Sequence, residues 1–587
     1  MPRKRIRSPQ RREKTIFLTG GLNEGKVSLE LKPGELSDVR NYEEVIGEYA
    51  GYRSVPGFER YSGYKSASGN IYASEIAVVF TTDGDVSSAS AREAFRDTIA
   101  AVGVSGVSGA HASGSTGAVL GCWWYKERIY AVRNKVSTGY PQLYLASAGP
   151  TSGSGGWSEV SGWAQDVPAN SVTTQPYRID TGRMSEVPSA APNKEVCVIC
   201  NSVSYPFILF EDDDANISVT QLSPSANGIE DALYPTFCKI WNDRLFLVYP
   251  DGHLRFSVLG SFDFSGDTGL AGEHYFGSPI TNIVEVAGDA LVVFLEKGIK
   301  ILKKINPTQT NAYSDVEVET FSNRSNAYNN TATRLLGDII FSGDRGVTLF
   351  SQSDAYGDFN AATLTKKIQS TYLSKRSAIL TGVAHREKNQ YILYYTDGTG
   401  LIFSFNDKKE VEGATKLVYP ISPTCYAVSK DSSGTDRIIF GTTTGYLMVV
   451  RDEAQSFDGS SITSSFVTAY HAYGYNTHNK SFKRILFELS GPKGLVFSVR
   501  PNYDYRGADV PAAGTQYYNS VGIGGGIWGV DVWGNFIYKL DSIELEWLHL
   551  DGCAINMGVS VVCSTLHYSP HIIHNFTTTY VLRGYKE

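Results

Sequence analysis

The chain has 587 residues, 42% hydrophobic and 19% charged, with a formal net charge of -7; this supports a sizeable core in more than one domain and excludes a disordered chain. Residues 1–14 hold seven cations, Arg3, Lys4, Arg5, Arg7, Arg11, Arg12 and Lys14, against one acid, Glu13, so the remainder carries -13. A basic arm on an acidic body excludes the broad basic face of a typical nucleic-acid reader.

No run reaches the roughly 18 apolar residues of a membrane span, so no stable membrane insertion is expected. The basic start runs into Ile16-Phe-Leu-Thr-Gly-Gly, too short an apolar stretch for a secretory leader. Seven scattered cysteines read as free thiols of a protein made in a reducing cytoplasm. With 36 Tyr and 58 Gly, the composition favours strands and tight turns over helices.

In chain order, residues 15–65 read as a lead-in segment. Its second half, Gly51-Tyr-Arg-Ser-Val-Pro-Gly-Phe-Glu-Arg-Tyr61, alternates aromatic and polar residues as short strands do. Ile76-Ala-Val-Val-Phe80 before Asp83-Gly84 opens a series of hairpins. The one helix expected follows over 90–102, where Ser90-Ala-Arg-Glu93 fits a capping box and Ala91, Ala94, Phe95, Thr98, Ile99 and Val102 share a face. Gly/Ser-rich loops are expected at 103–117 and 147–156, and hairpins at 125–145 and 196–220.

A regular pattern then sets in. An apolar, aromatic-rich run meets a Gly turn and a second apolar run follows, as in Leu245-Phe-Leu-Val-Tyr, Pro-Asp-Gly252, Leu254-Arg-Phe-Ser-Val258. The turn glycines Gly252, Gly298, Gly346, Gly398 and Gly445 lie 46, 48, 52 and 47 residues apart. Hairpins repeating at this period predict propeller blades, because each hairpin buries one face and needs neighbours. Counting the irregular first hairpins gives six to eight blades, with about seven preferred. Beyond Phe457-Asp-Gly-Ser-Ser461 the strands lengthen, which predicts a C-terminal β-sandwich. The expectation is an all-β chain with very little helix: a basic N-terminal arm over 1–20, a β-propeller with its lead-in over 21–465, and a sandwich over 466–587.

Candidate chemistry is sparse. Cys197-Val-Ile-Cys200 is a lone CxxC among strand formers, and residues three apart on a strand point to opposite faces, so the two thiols should diverge. In His567-Tyr-Ser-Pro-His571-Ile-Ile-His574, Pro570 argues against the helix that would align all three imidazoles. Glu211-Asp-Asp-Asp214 lacks the order of a calcium loop and reads as an acidic turn. Gly522-Ile-Gly-Gly-Gly526 has no phosphate-loop order, and Ser342-Gly-Asp-Arg-Gly-Val is not the Asp-box of a sialidase. No nucleophile elbow, zinc-protease or Walker pattern occurs. No catalytic residue, metal site or cofactor is expected, and no enzymatic activity. The basic arm, Arg3 to Lys14, is the candidate docking element, suited to an acidic groove on a partner; the other readings of it are a solvated, mobile terminus and a nucleic-acid contact.

An ordered series of short motifs resembles the β-propeller tail proteins of short-tailed bacteriophages, the tail hub or nozzle. It begins with Leu36-Ser-Asp-Val-Arg-Asn-Tyr-Glu and Gly51-Tyr-Arg-Ser-Val-Pro-Gly-Phe-Glu-Arg-Tyr-Ser-Gly63. Ile129-Tyr-Ala-Val-Arg-Asn134, Gly156-Trp-Ser-Glu-Val160, Asn242-Asp-Arg-Leu-Phe-Leu247 and His253-Leu-Arg-Phe-Ser257 follow. Gly343-Asp-Arg-Gly-Val347, Tyr356-Gly-Asp-Phe359 and Lys388-Asn-Gln-Tyr391 complete it. The series covers roughly residues 20–410; the basic arm and the 90–102 helix depart from the pattern.

The resemblance implies a structural virion protein, made in the host cytoplasm and placed in the tail. It implies a homo-hexameric ring below the portal and its adaptor proteins, continuing and gating the channel through which double-stranded DNA passes, and carrying fibres or a needle. The rival reading is a carbohydrate-binding or depolymerising phage propeller, for which Trp123, Trp124, Trp157, Trp163, Trp528 and Trp533 would be the sugar-stacking candidates.

Overall fold

The computed structural model describes residues 11–585, leaving out 62–117, 164–176, 305–315, 352–362, 505–518, 523–543 and shorter stretches. The expected helix at 90–102, the hairpin opening at 76–84 and the loops at 103–117 and 147–156 lie outside the described residues.

The repeat folds into antiparallel sheets arranged as a closed propeller. The first blade is Val119–Tyr125, Arg128–Asn134, Pro141–Ala146 and Trp157–Glu159. The second is Arg178–Met184, Lys194–Cys200, Phe207–Glu211 and Ile217–Gln221, and the third is Phe237–Trp241, Arg244–Val248, His253–Phe256 and Gly272–Tyr275. Ile280–Val286, Ala290–Leu295, Gly298–Lys304 and Val316–Ser322 make the fourth. A three-stranded fifth unit, Thr333–Leu335, Asp338–Gly343 and Gly346–Leu349, precedes the sixth, Ile379–His385, Gln390–Tyr395, Thr399–Phe405 and Val411–Val418. The last blade joins Pro423–Lys430, Asp436–Thr442 and Leu447–Arg451 to Gly57–Arg60 from the lead-in. Among the described residues, six four-stranded blades and one three-stranded unit thus surround the axis, and the inner strand of the last blade packs on the inner strand of the first.

The apolar runs look continuous because each blade is covered on both faces. Along Arg244–Val248 every residue is buried, but alternate side chains serve different cores. Leu245, Leu247 and Tyr249 pack with the second blade, while Phe246 and Val248 pack with the fourth. The same alternation separates the CxxC thiols, with Cys200 in the core between the second and third blades and Cys197 in that between the first and second. Asn242 and Asp243 both hold positive φ, 49° and 57°, in the mirror-image turn that suits a right-twisted hairpin.

The sandwich uses both ends of the chain. One sheet contains Tyr42–Val45, Gly51–Ser54, Ile572–Tyr585, His478–Ser490 and Glu544–Ala554, with Arg11–Phe17 added to Ile572–Tyr585. The facing sheet continues the sixth blade, with Leu36–Arg40 beside Val411–Val418, and runs on through Ile462–Thr468, Met557–Thr565, Val496–Tyr503 and Asn519–Gly522 in one nine-stranded sheet. Between them Phe466, Phe482, Ile485, Phe487, Phe497, Val499, Val561 and Phe576 form one core. The lead-in, grouped with the propeller in the sequence division, therefore pairs with C-terminal strands as far as Ser54, meets the sixth blade where Arg40 lies opposite Lys416, and supplies the last blade with Gly57–Arg60.

The basic arm also divides differently from the 1–20 expected. Arg11, Arg12 and Lys14 lie on a strand in seven-residue register, from Arg11 opposite Val581 to Phe17 opposite Asn575. Ile16 is buried in the sandwich and holds that strand in place. Arg3, Lys4, Arg5 and Arg7 lie outside the described residues.

Candidate functional site

Two polar features stand out against these apolar cores. The first is the axial cavity, about 700 Å³, walled by the inner strands. Its charged lining comprises Arg178, Lys239, Arg334, Arg386 and Lys430 against Asp180, Glu285 and Asp436. Lys239 donates to Asp180 Oδ1 at 2.8 Å and the Ile240 N–H to Oδ2 at 2.7 Å, joining the second and third blades. Enclosure pushes the Asp180 carboxyl up, with Lys239 opposing. The Arg386 N–H donates to Asp436 Oδ2 at 3.0 Å, and the Asn330 amide donates to Thr381 Oγ1 at 2.7 Å. Arg178 has no ion pair among the described residues, and burial lowers its guanidinium to about 10. The wall thus carries bonds between neighbouring blades and an excess of cations, of which Lys239 alone is ion-paired among the described residues.

The second feature is a joint between propeller and sandwich, centred on Glu43. Lys388, in the turn before Gln390–Tyr395, places its ammonium 3.0 Å from Glu43 Oε1 and 2.9 Å from Asp452 Oδ1. The Gln390 amide donates to Glu43 Oε2 at 3.2 Å. Arg53 flanks the cluster, 3.7 Å from Glu43 and 3.8 Å from Asp452. His385 beside it is held below the usual imidazole range by burial, with Lys388 adding to the effect. Two residues before Glu43, Asn41 adopts φ 52°. Its side chain accepts from the Val418 N–H of the sixth blade at 2.7 Å and donates to Thr463 O of the sandwich at 2.9 Å. Glu44, the residue after Glu43, accepts from the Gly20 N–H at 2.6 Å, and burial raises its carboxyl to about 7, with Glu412 adding to the rise.

The closing strand is fastened in the same way. Arg60 Nε donates to Asp458 Oδ2 at 2.9 Å, its guanidinium lies 3.6 Å over the Tyr446 ring, and Phe58 stacks on Phe457 at 5.1 Å.

The residues singled out in the sequence are scattered. Arg12 of the basic segment covers the Tyr475 ring at 4.6 Å. His571 bonds the Tyr42 hydroxyl at 2.8 Å, and His574 bonds Ser490 Oγ at 2.7 Å; His567 lies outside the described residues. Among the described residues no three of His, Cys, Asp and Glu are grouped to hold a metal. Glu211 is bonded by Lys126 of the first blade, and 212–214 are not described. Trp123 and Trp163 are core residues, and Trp163 stacks on Phe207 at 4.1 Å; Trp528 and Trp533 lie outside the described residues. Sequence reasoning quoted Glu43, Arg53, Lys388 and Gln390 within motifs but assigned them no role. The available signal was that charged residues stood in motifs that were otherwise strand and turn.

No protein-family model and no curated protein matches the sequence. Among solved structures, the computationally designed Ika8 protein aligns at TM-score 0.32 and 11% identity, over 58% of this chain and 97% of that one. The WD40 beta propeller domain of Doa1 aligns at 0.31 and 14%, over 57% and 93%. BBS1N, solved in complex with ARL6DN, aligns at 0.33 and 11%, over 55% and 88%. By its own sheet order the chain is a β-propeller joined to a β-sandwich.

Proposed function

We propose that this chain is a structural subunit of a short-tailed bacteriophage tail, a hub or nozzle protein whose copies close into a ring, most simply a hexamer. In this reading the ring continues and gates the DNA channel below the portal and its adaptor, and anchors fibres or a needle. The observation that carries it is the convergence of the motifs behind the resemblance. Asn41-Tyr-Glu43, Gly51-Tyr-Arg53 and Lys388-Asn-Gln-Tyr391 meet at one buried polar joint, and Gly57-Phe-Glu-Arg60 closes the last blade. Segments far apart in sequence share a family's order because together they fix how propeller meets sandwich.

The role is that of a scaffold and not an enzyme. The sugar-binding alternative loses support at Trp163, which is stacked on Phe207 in a core, while Trp123, itself buried, and Trp124 lie along the axial cavity. A ring built by rotation uses heterologous contacts that close, and a propeller welded to a sandwich offers two rigid surfaces for them. Electron microscopy of the tail is the test, with six copies around the channel as the expected result. A single copy per tail, or polysaccharide turnover abolished by one carboxylate substitution, would overturn the reading.

A further inference from the structure

We infer that Cys122 and Cys425 form an oxidisable pair, a modification site at which a peroxide staples the first propeller blade to the last through a disulfide. Cys122 lies on the inner strand Val119–Tyr125 and Cys425 on the inner strand Pro423–Lys430. These strands face each other where the ring closes, and the two sulfurs approach to 3.6 Å across 303 residues of sequence. A side-chain adjustment separates this contact from an S–S bond of about 2 Å. The strands are already tied beside the pair, since the Thr424 hydroxyl donates to Val119 O at 2.6 Å. Gly441 lies beneath the pair, and a Cβ there would meet Val119 and Cys425 Sγ.

Both thiols belong to the wall of the axial cavity of about 700 Å³, which gives a small oxidant a route to groups only 3% and 6% exposed. Cys200 and Cys238 are a second neighbouring thiol pair, but they, Cys197 and Cys563 are buried outside that wall, and Cys553 is exposed. The pair is also asymmetric. The neighbouring Cys122 thiol holds the Cys425 thiol below its usual range, with Thr424, the Gly441 N–H and Arg178 assisting, whereas burial pushes Cys122 up. Cys425 is therefore the attacking thiolate and Cys122 the resolving thiol.

The chemistry balances with hydrogen peroxide as oxidant. The Cys425 thiolate attacks one peroxide oxygen, the O–O bond breaks, and hydroxide leaves carrying the Cys425 proton as water, which leaves a sulfenic acid. The Cys122 sulfur then attacks that sulfur, the S–O bond breaks, and the departing hydroxyl takes the Cys122 proton as a second water. The two thiols lose two electrons and the peroxide gains them. On the function proposed above, the chain folds in a reducing cytoplasm and works outside it, so the staple would form after release. That consequence rests on that reading; the cross-link itself is read on purified protein whatever its oligomeric state.

The test is peroxide titration of the full chain. Expected are the loss of two hydrogens by intact mass and a non-reducing peptide map joining Cys122 to Cys425. The melting temperature should rise by about 4 °C and fall back with dithiothreitol. Cys122→Ala should lose the cross-link and leave a sulfenic acid at Cys425 that dimedone traps, which separates a missing partner from a misfolded chain. A map joining other cysteines overturns the inference, as does a Cys122–Cys425 pair still reduced when Cys553 is oxidised. A cross-link with no change in melting temperature overturns the staple.

Discussion

The ammonium of Lys388 lies 3.0 Å from Glu43 Oε1 although the two residues stand 345 apart in sequence. Glu43 is buried, so its charge depends on the cations and amide around it. Lys388→Met should destabilise the protein by about 2 kcal/mol, because Arg53 at 3.7 Å compensates only in part. Glu43→Gln should cost less, and a double-mutant cycle in urea should show coupling of about 1 kcal/mol. Additive effects would show that the two residues act independently.

Glu44 should make stability fall as pH rises. Its carboxyl titrates at about 7 in the fold against 4.5 otherwise, so the native state holds a proton that the unfolded chain releases. Its contribution is complete below pH 4.5 and is lost on the way up to pH 7, about 3 kcal/mol in all. Urea midpoints of the wild type and Glu44→Gln, compared between pH 4.5 and 8, should diverge as pH rises. Parallel curves would rule Glu44 out.

His571 should act in the opposite direction. It is fully buried against Tyr42, and burial lowers its imidazole to about 3 from 6.5. The unfolded chain takes up a proton that the native state refuses, so stability present above pH 6.5 is lost as pH falls toward 3, on the order of 5 kcal/mol. His571→Gln should flatten this acid limb in a thermal-melt series, at some cost in stability at pH 7. An unchanged acid limb would exclude the residue as its source.

Gly57 opens the strand that closes the last blade, and a side chain there would overlap the carbonyl oxygens of Ser456 and Ala454. Gly57→Ala should therefore cost about 3 kcal/mol, more than an ordinary surface change. Hydrogen exchange should locate the loss in Leu447–Arg451, which pairs with that strand. Loss confined to the sandwich would contradict this assignment.

The charge split yields a test of the basic segment. Deleting residues 1–10 removes Arg3, Lys4, Arg5 and Arg7 and should leave the melting temperature unchanged while impairing tail assembly. Deleting 1–17 also removes the strand against Ile572–Tyr585 and should lower it. Normal assembly by the shorter deletion, or that segment lining the channel against DNA, would exclude docking to a partner.

The blades were legible because their pairings are local. Leu245 to Val258 shows both strands of a hairpin and its Gly252 turn within one window, and the spacing of such windows implies radial packing. The joint was not legible, because the partners of Glu43 and Asn41 lie hundreds of residues away and hydrophobic periodicity says nothing about long-range polar bonds. Gly57–Arg60 could be read as a strand from its alternation, but not as the closing strand of the last blade. Arg11–Phe17 was read by its charge, and the alternation that buries Ile16 was outweighed by the cations around it.

The closing strand also sets an order on biosynthesis. Arg60 leaves the ribosome 398 residues before its partner Asp458, so at about 5–20 residues per second it waits on the order of half a minute to a minute. The intervening blades can pair within themselves as they emerge, but the circle cannot shut until Leu447–Arg451 has been made. Ring closure thus checks the propeller alone, since a chain terminated before that strand lacks the edge on which Gly57–Arg60 must dock.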